Sequence, residues 1–324
     1  MEKIRIGLYG MNGHQIHNRL KNHPDGELGA VCFPDRRDMP GFENIPRYDT
    51  LEEMLADDTL DMISICSPCR GDQERDAILC LEAGRHVYAE KPAVLSEAGL
   101  DRVLDTAKRC GKEFHEIADT VFFEPWWSMR NLVRSGKVGE VVQVYAQKSY
   151  PMRPGARPQD EETDGGLIRW VGIHAMRFVE HITGLQVTDI DARETHLGNA
   201  ELNGGTDDAG LFTAAVLTMK LENGGVAAIC MNYLNPTGFP GWGNEHVRVF
   251  GTKGMAEITD GGKHSHVYTD RDEGEIATAD SGCRDFLDLL LRHLRYGEEM
   301  PITPEEELHP LRVVIRAKDK AVTV

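Results

Sequence analysis

Over the first 120 residues, short apolar runs alternate with longer stretches whose apolar positions recur every three or four residues. Residues 4–9, 27–33, 60–66 and 86–88 read as buried strands, and 113–118 as a fifth. Residues 51–55 read as a short helix behind a Thr50 cap with Glu53 three positions on, and 73–83 and 96–110 as longer ones. Strands alternating with helices of about 10 to 15 residues predict right-handed crossovers and a parallel sheet. After Glu124-Pro125 the pattern changes. Residues 126–135 read as a helix ending at Gly136, 139–146 as an alternating strand, and 151–166 as a loop rich in Pro, Gly and acids. A helix is expected to start within 165–174 and run to Gly184. From 185 to 270 antiparallel strands are expected at 186–192, 209–221 with an Asn223-Gly224 hairpin, 226–232, 246–251 and 255–259. Residues 282–295 and 305–322 have helical periodicity, and these C-terminal helices are expected to return to the interdomain join.

The expected class is α/β, an N-terminal Rossmann doubly wound parallel sheet and a C-terminal α/β domain on an open, mostly antiparallel sheet. A length of 324 residues suits two domains, divided here as 1–122 and 123–324. The first would bind a dinucleotide and the second the substrate, with homo-oligomerisation to a dimer or tetramer through the open sheet face.

Charge narrows the partners. With 36 basic and 53 acidic residues the formal charge is −17, which argues against nucleic acid and against anionic membrane surfaces. No apolar signal core follows Met1 and no run of 18 apolar residues occurs, so a cytoplasmic location is expected. Seven scattered cysteines fit reduced thiols. Cys66 and Cys69 have C-x-x-C spacing but no matching second pair. His264-Ser265-His266 has no carboxylate at ligand spacing, so no metal is expected.

Candidate chemistry begins where the first strand ends. Gly10, Asn12, Gly13, His14, Gln15 and Ile16 form a turn expected to lead into a helix, where backbone N–H groups can approach a pyrophosphate. The usual spacing places glycine at 10, 12 and 15, and here Asn12 and Gln15 depart from it. Asn tolerates left-handed angles, whereas Gln15 would hold a helix away from the strand. Beyond the second strand, Asp35 could bond an adenosine ribose and Arg36 with Arg37 could meet a 2′-phosphate, so NAD and NADP both remain open. Glu90-Lys91-Pro92 ends the fourth strand and brings one ammonium to the carboxyl edge of the sheet. Asn235–Gly243 is a Gly- and Pro-rich loop with two aromatics, readable as a surface turn, a lid or an oligomer contact.

Taken in order, the glycine turn with His17, the strand ending Ser67-Pro68, Leu81–Val87 running into Glu90-Lys91-Pro92, Ser135–Val141, Gly165-Gly166 before Gly172-Ile173-His174, and Phe250–Gly254 resemble the glucose-fructose oxidoreductase / inositol dehydrogenase (Gfo/Idh/MocA) family. That resemblance implies NAD(P)-dependent interconversion of a hydroxyl and a carbonyl on a sugar-like or cyclitol-like substrate. It implies that Ser67, Pro68, Glu90 and Lys91 contact the cofactor, that Lys91 sits between nicotinamide and substrate, and that His174 transfers the proton. Family enzymes usually carry Asp four residues before that His, an acid three residues after it, and a His four residues after the Ser/Thr-Pro. Here those positions are Trp170, Arg177 and Asp72. Trp170 removes a polar anchor and could offer a flat apolar face to the substrate. The second function class is a non-catalytic relative that binds the dinucleotide as a regulatory signal.

Overall fold

The computed structural model describes residues 2–34, 41–117, 119–152, 160–208 and 210–324; Asp35, Arg36 and Arg37 lie outside them. The chain divides into two units. Met1–Ala118, Glu162–Asp164 and Phe286–Pro304 make the first, and Asp119–Glu161, Gly165–Asp285 and Glu305–Val324 the second.

In the first unit β1 (Ile4–Tyr9), β2 (Gly26–Cys32), β3 (Met62–Ile65), β4 (His86–Ala89) and β5 (Phe114–Glu116) pair in the order β2-β1-β3-β4-β5, all parallel. The apolar runs form strands because both faces are covered: Ile6, Ile63, Ile65 and Val87 have no exposed surface. Each such burial stabilises the fold by about 1.5–3 kcal/mol. α1 (Leu51–Leu55) starts with the expected reciprocal Thr50–Glu53 cap. α2 (Gln73–Glu82) follows, and α3 (Glu97–Cys110) runs from a Ser96 cap to Gly111, whose φ of +63° ends it. Strand order reverses between β1 and β3, so Gly10 and Cys66-Ser67-Pro68 leave the sheet at its switch point, where open α/β sheets take ligands.

The helix expected after the glycine turn does not form. Residues 17–22 make turns, with Arg19 and Leu20 N–H groups both donating to the Ile16 carbonyl at 2.9 and 3.2 Å. The His14 N–H, which a helix would orient along its axis, instead donates to the Glu90 carboxylate at 3.1 Å. Pro24 then follows so soon that the remaining segment is far shorter than the ~12 residues an isolated helix needs.

The second unit begins with α4 (Trp126–Arg134) and β6 (Val141–Ser149). The expected helix at 165–184 enters through a wide turn, Leu167–Val171, in which the Gly172 N–H donates to the Leu167 carbonyl, and continues as α5 (Gly172–Thr183). Then come β7 (Val187–Thr195), α6 (Asn199–Leu202), β8 (Ala214–Leu221), β9 (Val226–Asn232), β10 (Asn244–Gly251), β11 (Gly254–Thr259), β12 (His264–Thr269) and β13 (Glu273–Glu275). The strand expected from 209 starts only at Ala214. Ahead of it the chain is tied back, with the Thr213 hydroxyl donating to the Thr195 and Leu197 carbonyls at 3.1 and 2.9 Å. The hairpins are antiparallel, and Gly224 at φ +89° makes the expected turn. β6 and β9 pair in parallel, so the sheet is mixed. That pairing is possible because α5, lying between them in sequence, carries the chain back across one face. α5 buries itself on this sheet, and Phe178 stacks on Trp126 at 4.4 Å.

α7 (Phe286–Tyr296) belongs to the first unit. Leu291 fills the space above Gly26, and Asp25 receives Arg295 Nη1 at 2.6 Å and the Tyr296 hydroxyl at 2.8 Å. α8 (Pro304–Lys320) packs in the second unit, where His309 Nδ1 lies 2.8 Å from Glu180. The helix stops at Lys320, short of the expected Val322. β14 (Val322–Thr323) then pairs with β7, and among the described residues this sheet has nine strands in the order β13-β12-β11-β10-β6-β9-β8-β7-β14.

Candidate active site

At the carboxyl edge of the first unit's sheet the sequence-predicted residues of the glycine turn, β3 and β4 come together. Gly10 has φ +71°, and a Cβ there would stand 2.1 Å from the Cys66 carbonyl oxygen. Only glycine lets the chain pass this close to the end of β3. Gly13, at φ +149°, lies against Glu90, whose Cδ would be 2.5 Å from an added Cβ. The Glu90 carboxylate has no exposed surface and lies 2.9 Å from His14 Nδ1. Burial alone would push this carboxyl up, but His14, Lys91 and Arg70 outweigh it and hold it down at about 2.

Lys91 is fully buried at the end of β4. The turn carrying it is clamped by Gln73, whose Nε2 donates to the carbonyls of Glu90 at 2.6 Å, Pro92 at 3.2 Å and Ala93 at 3.2 Å. Ala93 N–H donates to Glu116 Oε1 at 2.8 Å. Ser67 is buried and its hydroxyl donates to Asp76 at 2.7 Å. Asn12 Nδ2 donates to the carbonyls of Pro68 at 3.1 Å and Thr163 at 2.6 Å, while the Arg70 guanidinium bonds the Asn12 carbonyl. Gln15 reaches back toward the Gly10 carbonyl at 3.5 Å, and Ile16 is buried. The Cys66 thiol donates to the His14 carbonyl at 3.0 Å, and burial pushes it far above the usual thiol range. Asp72 lies at the surface beside Arg75.

The edge fits a dinucleotide in one respect and departs in another. Gly10, at φ +71°, supplies the sharp turn after β1 that a dinucleotide cradle needs. Yet the N–H groups of Gly10, Asn12, Gly13 and His14 donate to Cys32, Cys66, Met11 and Glu90 respectively, and no helix N-terminus stands behind them.

In the second unit, every residue of α5 is buried except His174. Its Nδ1 lies 2.8 Å from the Thr120 hydroxyl, which fixes the plane of the ring. Trp170, one turn earlier, is buried with its ring 5.8 Å from Tyr150, and the Tyr150 ring meets that of His174 edge-on at 6.4 Å. Trp242 lies 5.9 Å from the same Tyr150. Lys148 Nζ sits 4.9 Å from the centre of that ring and pairs with Glu245. Burial by itself would lower the Lys148 ammonium, but Tyr150 and Glu245 together raise it. Arg177, where an acid is usual, is fully buried.

Sequence reading missed Arg70, Gln73, Thr120 and Tyr150. None of them falls in a motif, and what gives each its place at the site is a contact with a residue distant in sequence. Trp242 falls in the loop left open between three readings. Among the described residues no group of three or more His, Cys, Asp and Glu could hold a metal, and no helix is long and apolar enough to cross a membrane.

A five-stranded parallel sheet with a glycine turn and a buried lysine at its carboxyl edge gives the first unit the architecture of the nucleotide-binding α/β class. Residues 4–117 match the model described as "Oxidoreductase family, NAD-binding Rossmann fold", and residues 126–257 the "GFO/IDH/MocA C-terminal domain". The chain belongs to the Gfo/Idh/MocA family. The uncharacterized oxidoreductase YrbE of Bacillus subtilis is 27% identical over 72% of this chain and 63% of its own length. Myo-inositol 2-dehydrogenase of Thermotoga maritima is 24% identical over 78% of this chain and 74% of its own. Several other curated relatives are matched over only about half of their length. The aldose-aldose oxidoreductase of Caulobacter crescentus, solved with glycerol, shares the fold at TM-score 0.80 with 18% identity, covering 98% of this chain and 97% of that one.

Proposed function

We propose that this protein is an NAD(P)-dependent oxidoreductase that interconverts a hydroxyl and a carbonyl on a sugar-like or cyclitol-like substrate. In this reading residues 1–122 bind the cofactor through Gly10, Asn12, Gly13, His14, Gln15, Ile16, Asp35, Arg36, Ser67-Pro68 and Glu90-Lys91, and residues 123–324 carry the substrate site. Bound nicotinamide would supply or accept the hydride. His174 takes the hydroxyl proton, since an imidazole titrates near working pH, and the Lys91 ammonium steadies the developing alkoxide. Trp170 borders the substrate.

The observation that carries this reading is His174 itself. It is the one residue of α5 left partly open, and Thr120 holds its ring in a single orientation. A structural histidine on so buried a helix would be buried with it.

Screening sugars and cyclitols for turnover at the reduced-nicotinamide absorbance tests the proposal. Lys91→Ala and His174→Ala should each lower kcat by at least ~100-fold; unchanged rates would sink the assignment. The regulatory alternative gains from one observation, a buried Trp170 where family enzymes carry an Asp. NADH or NADPH binding in a fluorescence titration with no turnover on any substrate would favour it.

Self-association through the outer sheet face is part of the proposal. Val216, Val226 and Phe250 expose apolar surface there. A monomer by light scattering at micromolar concentration would remove it.

A further inference from the structure

Trp242 is the most exposed ring of the aromatic group around His174, with 42% of its surface open, while Tyr150 and Trp170 are nearly closed off behind it. An indole on a loop rich in glycine and proline would ordinarily wander, but both ends of this loop are pinned. At its start the Asn235 side chain donates to the Ser149 carbonyl at 3.0 Å and to the Trp242 carbonyl at 3.1 Å, crossing the loop and fixing Trp242 from within. Asn235 N–H also donates to the Tyr150 carbonyl at 3.2 Å. At its end Gly243 is pressed against Glu245, whose Oε1 would be 2.2 Å from an added Cβ, and Glu245 is held by Lys148. The Trp242 backbone is therefore held beside the residues that follow β6, and its indole is in ring contact with the tyrosine that touches His174.

Fixing a large half-exposed apolar ring leaves its surface unburied, which folding alone does not favour. A ligand can use such a ring. The chemistry it recognises is a flat or chair-shaped ring that presents C–H groups on one face and keeps its hydroxyls at the rim. An open-chain polyol has no such face.

We infer that Trp242 is a specificity-determining residue that stacks on the ring of the substrate, so that the enzyme selects ring-form pyranosides and cyclitols over open-chain alditols. This deepens the proposed function and rests on His174 as the proton-transferring residue. Tyr150 and Trp170 act behind Trp242, backing the platform and keeping it dry.

The test compares wild type, Trp242→Ala and Trp242→Phe on methyl β-D-glucoside, myo-inositol and D-sorbitol, by steady-state kinetics and by ligand quenching of tryptophan fluorescence without cofactor. For ring compounds Trp242→Ala should raise KM about 2- to 10-fold with kcat within about 2-fold, and Trp242→Phe should restore most of the loss. Sorbitol constants should not move. Ring compounds should quench wild type at lower concentration than sorbitol, and the depth of that quenching should fall in Trp242→Phe, where only Trp126, Trp127 and Trp170 still report. An unchanged ring-to-sorbitol ratio in Trp242→Ala overturns the inference, as does an equal fall in kcat for all three. Should nothing turn over, the reaction reading fails while quenching still decides stacking: ring-selective quenching supports it, and its absence overturns it.

Discussion

The Glu90 carboxylate, with no surface open to solvent, lies 2.9 Å from His14 Nδ1 and 3.1 Å from the His14 backbone N–H. This contact occupies the place where a helix start was expected. A carboxylate just beyond β4 has taken the His14 N–H that a helix N-terminus would have offered to a phosphate. The same arrangement holds Glu90 ionised against a burial penalty.

Its pH consequence has a definite sign. Glu90 sits at about 2 in the fold against an ordinary 4.5. A depressed carboxyl contributes stability that is fully present above the ordinary value and is lost as pH falls toward 2. The difference corresponds to on the order of 3 kcal/mol. Urea unfolding followed between pH 5 and 2.5 should show wild type losing stability faster than Glu90→Gln. Parallel curves would contradict the pairing.

Glu180 and His309 predict the opposite slope in the second unit. Burial raises the Glu180 carboxyl. Burial alone would lower the His309 ring, but the Glu180 partner outweighs it and raises it. Both groups therefore hold protons more tightly in the fold, and the His309 contribution is complete below its ordinary value near 6.5 and fades as pH rises past its raised one. Stability should fall from pH 6 to 8.5 in wild type and stay flat in the double variant Glu180→Gln, His309→Gln. Removing His309 alone leaves an uncompensated buried carboxyl and should cost about 3–5 kcal/mol.

Gly10→Ala and Gly13→Ala separate two kinds of glycine requirement. At Gly10 an added Cβ meets backbone, the Cys66 carbonyl, with φ in the left-handed region. The cost should be on the order of 2 kcal/mol or more, a drop of several degrees in Tm. At Gly13 the Cβ meets the Glu90 side chain instead. That variant should abolish the pH 5 to 2.5 slope attributed to Glu90, which calorimetry across this range would detect.

Thr120 orients His174 through the 2.8 Å contact at Nδ1. Thr120→Val should lower kcat roughly 10-fold with little change in KM and shift the pH profile of kcat/KM, and Thr120→Ser should restore both. A loss confined to thermal stability, with the pH profile unmoved, would assign Thr120 a structural role only.

The strands of the first sheet were legible because each is an apolar run buried on both faces, and the Thr50 and Ser96 caps because capping is a local code. The glycine turn was legible as a turn. Its continuation was not, because whether Gln15–Asn22 coils depends on Glu90, 76 residues beyond His14 in sequence, competing for the His14 N–H. The parallel pairing of β6 with β9 escaped for a similar reason: alternation fixes which side chains face inward, and says nothing about which strand lies alongside.

By itself the sequence determined the strands of the parallel first sheet, the capped helices beside them and the family, since these rest on neighbours along the chain. Tertiary structure alone decided that Thr120 holds His174, that Gln73 clamps the Lys91 turn, and that Tyr150 and Trp242 stand beside the imidazole. Each of those contacts joins groups far apart in sequence, and no local propensity encodes a distance that exists only after the chain has closed.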